Sequence, residues 1–171
     1  MARLPDMTAD DDIAARIRAR RGELRPLDAM LLHSPQVADG WNQLMGAIRG
    51  QTTVPADLRE LVILRIAVLN DAPYEWDSHQ QPARLAGLND RHLAAIRAGE
   101  PGVPLSDLQQ LVIEATDAMT RGVRLPEPLF ERLRGHLPDR QLFELVATVA
   151  AYNMVSRLVV ALDISSPAAG A

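Results

Sequence analysis

The chain has 171 residues, of which 22 are acidic and 18 basic, for a net charge of −4 at pH 7. So mild a charge argues against nucleic acid as the main partner. No apolar run reads as long enough to span a membrane and the N-terminus shows no signal-peptide pattern, so no membrane partner and a cytoplasmic location are expected. Cysteine is absent, which excludes disulfides, zinc–thiolate sites and thiol chemistry within this chain.

Hydrophobic residues make up 47% of the sequence but aromatics only 4%, so the core is aliphatic. Abundant alanine and leucine favour helix, and the fold class expected is all-α, without significant sheet. The length fits one domain over residues 1–171 with a real core; residues 1–12 and 165–171 are expected to be flexible.

In chain order, Ile13 to Arg21 reads as a short basic helix ended by Gly22, and Pro26 to His33 as a second with Leu27, Met30 and Leu31 inward. Ser34-Pro35 caps and opens a third, to about Arg49. Its residues Val37, Trp41, Leu44, Met45 and Ile48 recur near i, i+3/i+4, which predicts one buried face. Gly50 to Val54 reads as a loop. From Leu58 the run Leu61, Val62, Leu64, Ile66, Val68, Leu69 is apolar almost all round, as in a core helix, with Glu60 and Arg65 interrupting it. A carboxylate in such a run needs a partner or a purpose.

After Asn70 a second arm begins, with Asp71 as the expected N-cap and Pro73 in the first turn. Gly87 stops it, and Asn89 or Asp90 caps a short helix to Ala98. Gly99 to Pro104 is a turn-rich connector. Ser106 to Arg121 is strongly helical, with Leu108, Leu111, Val112, Ala115 and Met119 on one side and Gly122 as C-cap. Pro126 to Gly135 is a short helix, and Pro138 to about Ile164 the longest.

The stretch from Leu58 to Gly87 carries the one polar constellation that reads as chemistry. Glu75 and His79 are four residues apart on one helical face. At ~1.5 Å rise per residue, Glu60 lies about 15 Å before the break and His79 about 9 Å after it. In an antiparallel hairpin the remaining offset is within side-chain reach. Histidine is the usual proton carrier near neutrality, and a carboxylate beside it fixes the imidazole's orientation. The four histidines are too scattered for a metal site, and no metal is expected. Neither a Gly-rich phosphate loop nor a serine-nucleophile motif is present.

Arg59-Glu60-Leu61, the aliphatic run, Tyr74-Glu75-Trp76, His79 and Gly87-Leu88 together resemble the carboxymuconolactone decarboxylase family, which includes the alkylhydroperoxidase D-like (AhpD-like) proteins. Leu32-His33-Ser34-Pro35, Tyr152-Asn153 and Arg157 extend the resemblance over most of the chain. In the family's thiol branch a CxxC pair precedes the active histidine; the matching positions here are Ala72 and Glu75. The resemblance therefore reaches the fold, Glu60 and His79 but not the thiol peroxidase activity, and points to the cysteine-free Tyr-Glu-Trp branch.

What the resemblance implies is a cofactor-independent lyase that decarboxylates a small carboxylated lactone or keto acid. His79 would be the acid/base, Glu60 its partner and Glu75 a second acid. Tyr74, Trp76, Arg59 and His33 are the candidate substrate-binding residues; among the 18 arginines, Arg59 is the choice for holding a substrate carboxylate. An isomerase, dehydratase or lactone hydrolase on the same groups, or a non-catalytic ligand-binding oligomer, are the alternatives. The resemblance also implies a homo-oligomer, trimeric or hexameric.

Overall fold

The structure is a computed structural model describing residues 2–7, 12–98 and 105–166. The expected connector at Gly99–Pro104, and residues 1, 8–11 and 167–171 of the termini expected to be flexible, lie outside the described residues. Those residues form helices and no strand: α1 (Asp12–Arg21), α2 (Pro26–Leu31), α3 (Pro35–Gly50), α4 (Ala56–Leu69), α5 (Pro73–Leu85), α6 (Asp90–Ala98), α7 (Asp107–Gly122), α8 (Glu127–Arg134) and α9 (Asp139–Ala161).

The centre is α4, whose residues from Glu60 to Ala67 are all buried. Helices α5, α6, α7 and α9 pack around it, which is why its sequence has no polar face. On one side α3 joins α1, α2 and α9; on another α8 rests on α7 and α9. The sequence sets the ends locally. Ser106 Oγ accepts the Gln109 N–H (3.2 Å) and Gln109 Oε1 accepts the Ser106 N–H (3.0 Å), a reciprocal cap that starts α7. Asn89 Oδ1 accepts the N–H groups of Arg91 and His92 and starts α6.

Four expectations are corrected. The N-cap of α5 is Ala72, not Asp71; Asp71 has φ +48° and makes the tight turn out of α4. On α3, Trp41, Met45 and Ile48 are buried, but Val37 and Leu44 are 54% and 49% exposed, because the buried stripe is narrower than the apolar one. The left-handed residue after α7 is Val123 (φ +67°), with Gly122 still helical. Finally, α9 at 23 residues is long and apolar enough to cross a membrane by length and composition. Here it is a core helix instead, packed on α3, α4, α7 and α8.

The polar groups of α9 explain that placement. Asn70 Nδ2, just past α4, donates to Ser156 Oγ (2.7 Å) and Asn153 Oδ1 (3.2 Å), and Asn153 Nδ2 donates to Thr120 Oγ1 (3.0 Å) on α7. This chain of hydrogen bonds pins α9 to both neighbours and satisfies buried groups that would be costly unpaired.

Candidate active site

The hairpin of α4 and α5 brings Glu60 and His79 into direct contact: Glu60 Oε2 lies 2.8 Å from His79 Nδ1. Both are withdrawn from water, with side chains 6% and 12% exposed. A carboxylate accepts, so Nδ1 carries the proton of this bond and Nε2 is the nitrogen left to exchange one. Nε2 faces two further groups. Glu75 Oε2, one turn back on α5, lies 3.6 Å away, and Tyr152 Oη on α9 lies 3.5 Å away. The tyrosine and imidazole rings meet edge to face, 5.4 Å between centroids and 88° between planes. At these lengths the contacts on Nε2 are loose, unlike the short bond on Nδ1.

The phenol of Tyr152 is held well above the usual tyrosine range. Its burial is the main cause; the Arg49 guanidinium opposes the shift, and the charges of Glu75 and Glu60 add to it. Tyr152 is therefore a neutral O–H group at every physiological pH. Arg49, whose charge opposes the shift, belongs to the last turn of α3. Three helices, α4, α5 and α9, thus each contribute to one cluster.

The other residues singled out in the sequence have different surroundings. Arg59 Nε sits 3.5 Å from Glu60 Oε1 on the Nδ1 side of the pair, buried and without a hydrogen bond. Tyr74 is buried, but its hydroxyl faces the backbone of Leu27 on α2; burial, with Glu75 nearby, raises its pKa. The opposite flank of α5 carries Trp76, where the Arg97 guanidinium lies 4.3 Å from its ring centroid. With Asp71 and Asp77 these line a hollow of about 380 Å³ that lies apart from the pair. His33 is exposed and donates from Nε2 to the carbonyl of Pro5 (2.8 Å), tying the N-terminal segment to the end of α2. The fold therefore gathers Glu60, Glu75, His79 and Arg59, and leaves Tyr74, Trp76 and His33 elsewhere.

Sequence reasoning assigned no role to Tyr152. Tyr152-Asn153 was part of the family resemblance, the one signal available. Among the described residues no set of three or more His, Asp or Glu converges as a metal site.

The sequence model of the carboxymuconolactone decarboxylase family matches residues 35–101, a span holding Arg49, Glu60, Glu75 and His79. Among curated proteins the chain is similar to the uncharacterized protein YdfG of Bacillus subtilis (strain 168), 24% identical over 114 residues, covering 66% of this chain and 78% of YdfG. Among solved structures it resembles an uncharacterized peroxidase-related protein from Silicibacter sp. TM1040, with TM-score 0.84 and 17% identity over 98% of this chain and 92% of that one. It also resembles a cysteine-to-alanine variant of the debrominase Bmp8 in complex with 2,3,4-tribromopyrrole, with TM-score 0.77 and 15% identity over 98% and 94%. At these identities the two structures show a shared fold.

Proposed function

Because the carboxymuconolactone decarboxylase family model matches residues 35–101, we propose that the chain is a member of that family and a cofactor-independent lyase that decarboxylates a small β-keto acid or carboxylated lactone. The observation that carries this reading is the 2.8 Å bond between Glu60 and His79 across two helices, with Nε2 left facing a second carboxylate. The same fold in a debrominase shows why the argument rests on the site and not on the scaffold.

In this scheme the bond to the departing carboxylate breaks and its electron pair moves into the neighbouring carbonyl, leaving carbon dioxide and an enolate. The enolate carbon then takes a proton from Nε2 of the imidazolium, which Glu60 holds at Nδ1. Glu75 stands where it can return a proton to Nε2. A positioned acid of this kind contributes about 10²- to 10⁴-fold, and no electron sink beyond the substrate's own carbonyl is required. The reading extends to a cytoplasmic homo-oligomer, trimeric or hexameric. Val37 and Leu44 on α3 and Phe143, Met154 and Val160 on α9 are the exposed apolar residues that would be covered.

A second reading, a ligand-binding protein without turnover, draws on the low exposure of Glu60 and His79 in the single chain. One experiment separates them. Carbon dioxide release is followed over a panel of β-keto acids and carboxylated lactones, for the native chain, His79→Gln and Glu60→Gln. The lyase reading expects turnover by the native chain and loss of about 10²-fold or more in each variant. Equal turnover by His79→Gln would remove the imidazole from the mechanism. Saturable binding without carbon dioxide release would favour the second reading.

A further inference from the structure

The hollow at the turn between α4 and α5 is not accounted for by the Glu60–His79 pair. It holds about 380 Å³, and its walls include neither residue. Ala67 and Val68 near the end of α4, with Ala72 and Pro73 where α5 begins, form an apolar lining. On one side the Arg97 guanidinium of α6 lies over the Trp76 ring, 4.3 Å from its centroid. Two carboxylates, Asp71 and Asp77, complete the rim. Asp77 is occupied: its Oδ2 accepts the Ser166 hydroxyl (3.2 Å), and its Oδ1 lies 3.5 Å from Gln80 Nε2. Arg97 and Asp71 are not. Apart from the stacking on Trp76, neither side chain makes a hydrogen bond or ion pair, with the other or with any third group among the described residues. A free cation and a free carboxylate that face one cavity without meeting leave space between them for a molecule carrying both charges.

We propose that this hollow is a binding site for a small zwitterion with an aliphatic body, an amino acid in its chemistry. The ligand's carboxylate lies against Arg97 and its ammonium against Asp71. Stacking holds the guanidinium flat on the indole, while its N–H donors, which lie in the guanidinium plane, stay open at the edge. Such a fork takes a carboxylate by two parallel bonds. Its orientation is set before the ligand arrives, which lowers the entropy cost of binding. The apolar lining takes the ligand's methylene groups out of water. Charge selects against simpler ligands. A plain carboxylate meets Asp71 and Asp77 as well as Arg97, and a plain amine meets Arg97. Only a molecule of both signs leaves Arg97 and Asp71 matched together.

The test reads binding at the tryptophans and does not depend on the acid/base reading. The chain has two, Trp41 buried on α3 and Trp76 in the hollow, so their indole N–H resonances are told apart by the loss of one in Trp76→Phe. The full chain is titrated with 2-aminobutyrate and 4-aminobutyrate, which differ in the spacing of their charges, and with butyrate and butylamine, which carry one charge each. The Trp76 resonance is expected to shift saturably with at least one aminobutyrate, while that of Trp41 stays in place and reports an intact core. Butyrate and butylamine should bind more weakly by about tenfold or more. Arg97→Gln and Asp71→Asn should each weaken the aminobutyrate by about tenfold; asparagine tolerates the left-handed conformation that Asp71 adopts (φ +48°). Arg97→Lys keeps the charge without the planar fork and should recover part of the loss. No saturable shift at Trp76 with either aminobutyrate overturns the proposal. So does butyrate binding as tightly as the better of the two, or an affinity unchanged in Arg97→Gln or in Asp71→Asn. His79→Gln should bind as the native chain does; a loss there would tie the hollow to the pair and overturn it as a separate site. Binding of this kind without carbon dioxide release would keep the hollow and discard the lyase. Turnover in a chain that binds neither aminobutyrate would do the reverse.

Discussion

Helix α4 carries two buried charges in neighbouring turns, Glu60 and Arg65, and the protein uses them in opposite ways. Arg65 is tightly held. Its Nε and Nη2 make paired bonds of 2.6 Å to the two oxygens of Asp117 on α7, and Nη1 donates to the Ile96 carbonyl on α6 at 2.8 Å. Arg121 adds a second cation 3.3 Å from Asp117. Glu60 has one short bond, to His79; beyond it, contacts lengthen to 3.5 and 3.6 Å and the buried Arg59 Nε has no hydrogen bond. A buried charge held by a paired carboxylate and a carbonyl in this way is a clamp. The cluster around Glu60 is matched less tightly than this clamp, and it is this difference that the proposed acid/base role draws on.

The largest effect should come from the clamp. Arg65→Ala leaves Asp117 partly buried with only Arg121, and should cost about 3 kcal/mol or more in urea denaturation. A cost below ~1 kcal/mol would show that Arg65 holds nothing together and would erase the contrast. Next comes the loose cluster. His79→Gln keeps a hydrogen-bonding group beside Glu60, and should cost only about 1 kcal/mol while abolishing turnover. A loss as large as that from Arg65→Ala would make the pair a second clamp.

Confined to high pH is an alkaline effect. Tyr152 has its folded pKa raised above the usual tyrosine value of about 10. Between the unfolded and folded pKa values the unfolded chain binds fewer protons, so stability is complete below about pH 10 and falls as pH rises beyond it. Tyr152→Phe should flatten that decline by up to ~1.4 kcal/mol per pH unit. Tyr74, also raised, leaves a residual slope. An unchanged slope would place the Tyr152 hydroxyl in water.

The smallest effect belongs to Glu144. Its pKa is lowered, first by the Thr53 hydroxyl, despite the cost of its own desolvation, and further by Arg140 and the Thr53 N–H. Its contribution is present above the usual glutamate value and lost as pH falls through the depressed folded value. Glu144→Gln should therefore cost little at pH 7 and remove a small part of the acid-limb decline in thermal melts.

Much of this was legible in the sequence. The apolar period of α7 and α9, the breaks at Gly22 and Gly87, and the all-round apolarity of α4 follow from residue spacing. So did the pairing of Glu60 with His79, because both belong to one hairpin whose geometry is fixed by helix rise. The Arg65–Asp117 clamp was not legible, since its members are 52 residues apart and meet only once α7 lies on α4. Tyr152 escaped for the same reason. Val37 and Leu44 misled because periodicity counts apolar residues without knowing how wide a stripe the neighbours cover. The left-handed Val123 is a place where the chain departs from local preference, and no residue type announced it.

The turn between α4 and α5, residues 70–72 with Asp71 at φ +48°, has a consequence for reading genomes. One residue gained or lost there must be taken up by the second arm, swinging its side chains by roughly 100° about the axis. That would point the imidazole away from its carboxylate although every residue of both arms was intact. Turn length is therefore a sharper criterion than residue identity for sorting sequences that keep this pair from those that have abandoned it.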